Sequence, residues 1–112
     1  MSEPVRYEVF ITGTAAAHLR RIGKKRGRGA LEQLHALIGD LTEDPESKTQ
    51  ALRGALSGFR SLHGGRFHVI IRISGRAVRV YVVAVGWHES GSRDDVYAAL
   101  ERAVRRGGIA PD

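Results

Sequence analysis

The 112-residue sequence predicts an α+β fold, in which an N-terminal strand and a two-helix hairpin pack on a four-stranded antiparallel sheet and a C-terminal helix ends the chain. Three observations lead there. Apolar residues recur at helical spacing in two segments between Ala15 and Leu41, interrupted by Gly27-Arg28-Gly29. Apolar alternation runs from Phe59 to Val85, punctuated by Gly64-Gly65 and Ser74-Gly75. A third helical pattern after Ser92 places acids first and arginines last.

Taken in order, Val5, Tyr7, Val9 and Ile11 alternate with Arg6, Glu8 and Phe10, the period of a strand with one face on a core. Thr14 is positioned to cap a helix over Ala15 to Arg26 that buries Ala15, Leu19, Ile22 and the stem of Arg26. After the glycine break, Leu31, Leu34, Leu37, Ile38 and Leu41 line a second helix over 30–41. Glu43-Asp44-Pro45-Glu46 is an acidic turn, and 46–57 has no clean period and reads as loop.

Two hairpins follow. Strands Phe59 to His63 and Arg66 to Ile73 are joined by Gly64-Gly65, a pair suited to the positive φ of a two-residue turn. A turn at Ser74-Gly75-Arg76 leads into Ala77 to Val85. Phe67, Val69, Ile71 and Ile73 share a core face with Val78, Val80, Val82 and Ala84 in either available register, and Leu62 joins them opposite Phe67. Parity sends Phe59, Ser61, His63, Arg66, His68, Ile70, Arg72, Arg79, Tyr81 and Trp87 to the other face. One register sets Arg72 against Arg79, a like-charge pair that costs stability unless an anion lies between them. Ser92 can cap the last helix, from Arg93 to Arg106, with Gly107 as its stop.

The charge is unevenly spread. The formal net charge is +6 and the sequence pI about 10.5, yet from Ser47 to His88 there is no carboxylate against Lys48, Arg53, Arg60, Arg66, Arg72, Arg76 and Arg79. The cations therefore ride on the predicted hairpins and not on a tail, a footprint for a polyanion or an acidic protein partner. Absence of cysteine excludes disulfide scaffolds, thiolate metal sites and cysteine nucleophiles. Met1-Ser2-Glu3-Pro4 opens no signal peptide, and the longest apolar run is Val80 to Val85, so the expectation is one cytoplasmic domain over 1–112 with no membrane partner.

Several segments together resemble the RelE/ParE superfamily of bacterial toxins over nearly the whole chain. They are Leu52-Arg53-Gly54 leading into the hairpin from Phe59 to Ile71, the strand Val80-Tyr81-Val82-Val83-Ala84-Val85-Gly86-Trp87-His88, and Arg93-Asp94-Asp95-Val96-Tyr97. The resemblance implies a toxin with a cognate antitoxin. In the RelE branch it implies ribosome-dependent mRNA cleavage without metal or other cofactor, through attack of a ribose 2′-hydroxyl on the adjacent phosphate. In the ParE branch the target is DNA gyrase. A third reading is a catalytically decayed module that keeps only antitoxin binding. The chain departs from the RelE pattern where His63 and His68 replace arginines of an Arg-x-Gly-x-Tyr-Arg stretch, and where His88 replaces a basic residue after Gly86-Trp87.

Cleavage of a phosphodiester needs a base, an acid and positive charge on the phosphorane. On the nuclease reading His68 with His88 or Tyr97 supplies proton transfer, Arg60, Arg66, Arg72, Arg79 and Arg93 are candidates for the clamp, and His63 with Lys24, Lys25 and Arg26 contacts RNA phosphates. Unbroken parity would put His88 on the core side, and a bulge at Gly86 would return it to His68. His18 and His35 read as structural. Trp87 fits either a partner-binding anchor or a base-stacking platform, and Tyr97 can simply pack its helix on the sheet. No metal site is expected from His63, His68 and His88, since no acid or thiolate lies near them in sequence.

Overall fold

The computed structural model describes residues 5–87 and 95–107. Strand β1 (Glu8–Ile11) runs into helix α1 (Gly13–Arg26), which turns back as α2 (Arg28–Gly39). A 3-10 turn and the short α3 (Pro45–Lys48) lead to β2 (Gln50–Ala51). Then come β3 (Arg60–Gly64), β4 (Phe67–Ser74), β5 (Arg79–Trp87) and helix α4 (Val96–Arg105). The α+β architecture is the expected one, but the sheet has five strands in the order β1-β5-β4-β3-β2. It is mixed: β1 lies parallel to β5 and the other pairs are antiparallel. The added strand, β2, comes from the stretch without periodicity and pairs only Gln50 with Ser61 and Ala51 with Arg60. A pairing that short leaves no two-residue pattern to read.

Local chemistry accounts for each boundary. Thr12, not Thr14, caps α1: its backbone is extended, its hydroxyl accepts from the Ala15 amide at 3.2 Å and donates to the Val82 carbonyl at 3.0 Å. One side chain thus starts the helix and ties it to β5. Gly27, at φ 87°, separates the helices, and α2 begins two residues earlier than Ala30. The hairpin turn is displaced by one residue, with Gly64 paired to Phe67 and Gly65, at φ 60°, opening the two-residue loop. Leu62 consequently faces Val69 and not Phe67. Of the first strand's expected core face, Tyr7 and Val9 pack inward, while Val5, ahead of the four-residue edge strand, and Ile11, at its end, are exposed.

The decisive departure lies in β5. Ile70 pairs with Ala84 and Ile71 with Val82, so Val83 is an extra residue and the alternation inverts beyond it. Val85 and Trp87 join Val69 and Phe67 on the side of the helix hairpin, together with Leu34, Ile38 and Leu41. Val83 and Ala84 pass to the other side, with Phe59, Ile70, Val96 and Leu100. Trp87 and Ala84 therefore sit on the faces opposite to those parity predicts. The sheet is covered on both sides, by α1 and α2 on one and by α4 on the other.

Pairing with β1 ends at Val82, which leaves the β5 edge from Val83 to Trp87 without a strand among the described residues. Helix α1 protects part of it: the Val85 amide donates to Nδ1 of His18 at 3.2 Å. That bond requires an unprotonated Nδ1, and burial, aided by the nearby Arg21 charge, lowers the His18 pKa from its usual value. A depressed pKa contributes stability above the ordinary imidazole value of about 6.5 and loses it as pH falls through the folded-state value. Stability measured by urea denaturation should therefore decline on the acid side in the parent chain. In His18→Gln, whose amide oxygen can accept the same hydrogen without titrating, that decline should be shallower.

Candidate functional site

The end of the β3–β4 hairpin brings the two central histidines together. His63 and His68 are directly opposite in register, with ring centroids 5.4 Å apart and planes at 25°, a stacked pair on the α4 side of the sheet. His63 is exposed and His68 half-buried. Two residues back along β3, Ser61 points to the same side and is buried.

Helix α4 carries the third group. Asp95 caps it with a buried carboxylate that accepts from the amides of Tyr97 and Ala98, both at 3.1 Å. Ser92, the expected cap, lies outside the described residues, and the helix starts at Val96 instead of Arg93. Val96 and Leu100 bury against Ile70, Val83 and Ala84, which sets the helix over the sheet and directs Tyr97 to the hairpin end. The Tyr97 hydroxyl lies 2.6 Å from Nδ1 of His68 and donates to the Ser61 hydroxyl at 3.0 Å, and its ring meets His68 edge-on at 5.3 Å.

Burial raises the Tyr97 pKa above its usual value, with the Asp95 charge adding to the rise and the Ser61 hydrogen bond opposing it. The phenol is therefore neutral at physiological pH, a donor and acceptor and not a phenolate base. With one proton to place, the hydroxyl couples its neighbours: donating to Ser61, it accepts from Nδ1–H of His68; donating to Nδ1, it leaves the proton of the neutral ring on Nε2. The chain Ser61–Tyr97–His68 can thus set the tautomer of an imidazole beside a cationic turn. The sequence assigns Ser61 no role beyond the histidines' strand parity, and places Asp95 in the first turn of the last helix as a complement to its dipole, where the structure makes it the cap.

The remaining candidates are dispersed. Arg66 occupies the β3–β4 turn between the two histidines in sequence and is exposed. Arg60 projects from the other side of β3, where its guanidinium donates to Thr49 Oγ1 at 2.8 Å, to the Thr49 carbonyl at 3.0 Å and to the Glu46 carbonyl at 3.1 Å. It clamps the chain around α3 and is not brought to the histidines. Arg72 and Arg79 occupy the far end of the α4 side, about 13 Å and, opposite Ser74, about 20 Å along β4 from His68 at roughly 3.3 Å per residue. Arg72 pairs with Tyr81 in register and lies over its ring at 4.4 Å, while Arg79 lies over Phe10 at 5.2 Å. The expected meeting of Arg72 with Arg79 is not formed. Nor is the face open along its length, because α4 buries Ile70 and Phe59 in its middle. Lys24, Lys25 and Arg26 form the last turn of α1. His88 and Arg93 lie outside the described residues. Among the described residues no three metal-ligating side chains converge, and no helix is long and apolar enough to cross a membrane.

The chain has known relatives in sequence and fold. A family model described as the ParE toxin of the type II toxin–antitoxin system, parDE, matches residues 9–90. A curated relative, Toxin RelE of Mycobacterium tuberculosis, is 29% identical over 93 residues, covering 83% of this chain and 93% of the relative. Among solved structures, a RelBE toxin–antitoxin complex from Mycobacterium tuberculosis aligns with a TM-score of 0.66 at 25% identity, over 79% of this chain and 98% of that one. A YoeB/ParE toxin from Agrobacterium tumefaciens aligns with a TM-score of 0.61 at 20% identity, over 73% of this chain and 99% of that one.

The Asp95 cap generates a stability prediction. Asp95→Ala strands two amide donors at the start of α4 and should cost about 1–2 kcal/mol, whereas Asp95→Asn, which caps nearly as well, should cost less. Urea denaturation midpoints of the two variants measure the difference, and equal losses would remove the cap from the account.

Proposed function

The chain belongs to the ParE toxin family of type II toxin–antitoxin systems, within the RelE/ParE superfamily, and from that premise we propose that it cleaves messenger RNA on the ribosome. Cleavage would repress translation in the cytoplasm, and a cognate antitoxin would hold the toxin inactive. The observation that carries this reading is the hydrogen-bonded chain from Ser61 through Tyr97 to His68, with His63 stacked on the same imidazole and Arg66 in the adjoining turn.

In this reading Nε2 of His68 takes the proton of the ribose 2′-hydroxyl as its oxygen attacks the neighbouring phosphorus. Tyr97, whose own proton lies on Ser61, accepts Nδ1–H both in the neutral ring that leaves Nε2 free to act as base and in the resulting imidazolium, so the charge forms against a fixed acceptor. The P–O5′ bond breaks to leave a 2′,3′-cyclic phosphate, and the departing 5′-oxygen takes a proton from His88, whose assignment rests on its family position. Arg66 raises the positive potential at the turn from its place over Trp87, with His63 contributing charge on the side of the phosphorane when protonated. Three histidines at positions that are basic in the RelE pattern would make the reaction sensitive to pH in a range where arginine is not.

A second reading, inhibition of DNA gyrase, is favoured by the family model, which is that of the ParE toxins. Mapping transcript ends and gyrase-dependent DNA breaks after induced expression separates the two. New transcript ends with intact replication support the nuclease; blocked replication with unchanged transcripts supports the gyrase poison; no growth arrest at all leaves an antitoxin-binding module.

For the nuclease, His68→Ala should lower cleavage by about 100-fold or more, within the range of general acid–base catalysis. Tyr97→Phe keeps the ring packing and should lower it by about tenfold, the worth of one charge-assisted hydrogen bond. Full cleavage by a folded His68→Ala variant would remove that histidine from the mechanism. The rate should follow a bell-shaped pH profile, and a flat one between mildly acidic and mildly basic pH would exclude imidazole catalysis.

A further inference from the structure

On the opposite side of the sheet from His68, two guanidinium groups from distant parts of the chain converge on one indole. Trp87 stands edge-on against Phe67, with centroids 5.2 Å apart and planes at 87°. The guanidinium carbon of Arg26, at the end of α1, lies 3.6 Å from the centre of the Trp87 ring, and that of Arg66, in the β3–β4 turn, lies 5.4 Å from it. Both are within cation–π range. Arg26 and Trp87 line a cavity of about 210 Å³, to whose walls α1 adds Arg21 and Lys25 and whose apolar lining includes Ile22 and Val96, while Arg66 meets the indole from the turn.

Among the described residues these cations have no carboxylate partner. Among the described residues the ion pairs are Arg6 with Glu43 and Arg105 with Glu101, and neither involves Arg21, Lys25, Arg26 or Arg66. No hydrogen bond to a described acceptor uses the guanidinium N–H groups of Arg26 or Arg66. Four cations gathered this way repel one another, a cost that an external anion relieves. A guanidinium held over an indole loses little of its donor capacity, because its N–H fork lies in its own plane and matches phosphate in bidentate fashion.

We propose that Arg26, Trp87 and Arg66 form a phosphate subsite that holds the sugar–phosphate backbone of single-stranded RNA beside the scissile step. The inference rests on the nuclease reading and extends it to a second face of the sheet. Continuity favours RNA over an acidic peptide. The pair Phe67–Trp87 and the pair His68–Gly86 are adjacent rungs of the β4–β5 ladder, so the two sites stand back to back at the hairpin end, with Arg66 in the turn between them. A strand bending round the turn would touch both. Because Arg26 already covers the indole, Trp87 is a positioning residue for the cations and not a platform for a base. Binding should accordingly be strongly salt-dependent and indifferent to base sequence.

The test uses the full chain and a short oligoribonucleotide with 2′-O-methyl riboses, which lacks the attacking hydroxyl and reports binding without cleavage. Trp87 is the single tryptophan, so its fluorescence should change on binding to the parent protein. Measured by anisotropy of a labelled oligonucleotide, Arg26→Ala and Arg66→Ala should each weaken binding about five- to tenfold and lower the slope of log affinity against log salt by about 0.7. Trp87→Leu keeps every charge and should also weaken binding, with the slope retained. If the parent binds while Arg26→Ala and Trp87→Leu bind equally well, the subsite is overturned and the nuclease reading stands, even where Trp87→Leu melts at lower temperature. If the parent binds no RNA, the subsite is overturned, and the nuclease reading stands or falls separately on the mapping of transcript ends. A polyglutamate peptide of equal charge that binds as tightly, and loses as much on Arg26→Ala, overturns RNA in favour of an acidic protein segment.

Discussion

One extra residue in a strand organises this molecule. Side chains on a strand alternate strictly, so the insertion of Val83 opposite the Ile70–Ile71 step inverts every position of β5 beyond it. Before the bulge, Val80 and Val82 serve the core beneath the helix hairpin; after it, Val85 and Trp87 do. At the bulge itself Val83 and Ala84 both turn to the other side and, with Ile70 and Phe59, make an apolar floor. Without that floor α4 would have nothing to pack against.

The site follows from the packing and not the reverse. Burying a side chain such as Leu100 or Val96 is worth about 1.5–3 kcal/mol, against about 1 kcal/mol net for a neutral hydrogen bond. Helix α4 buries both, so its seat is determined by apolar contact, and the Tyr97 hydroxyl is delivered to His68 as a consequence. The hydrogen bonds then refine what hydrophobic burial has placed. A group built this way has its orientation held by three separate elements, β3, β4 and α4, each anchored in the same core.

The electrostatics show a related economy. A sheet carrying several arginines and few acids, Glu8 opposite Arg79 among them, should suffer from repulsion, yet Arg72, Arg79, Arg26 and Arg66 are each set over an aromatic ring, and Arg60 is held by backbone carbonyls and a hydroxyl. Cation–π contact gives each charge a local partner that does not cancel the field outside. The surface stays attractive to a polyanion while its cations are held in place.

Much of this was legible in the residues alone. Helical spacing of Leu34, Ile38 and Leu41, the break at Gly27, the stop at Gly107 and the pairing of the two hairpins are consequences of local periodicity and of backbone freedom at glycine, which any sequence displays openly. So is the gathering of cations between Ser47 and His88. The partner of β1, the two-residue strand β2 and the Val83 bulge were not legible, because a parallel pairing between distant segments and a register shift leave no mark on either strand's own pattern. The side chosen by Trp87, the removal of Arg60, Arg72 and Arg79 from the histidines, and the joining of Ser61 to His68 and Tyr97, one of the two pairings the sequence left open for His68, were therefore decided by tertiary structure. Sequence sets which side chains are available and which faces alternate; only the packed sheet, through its register and the helix laid across it, determines which of them touch.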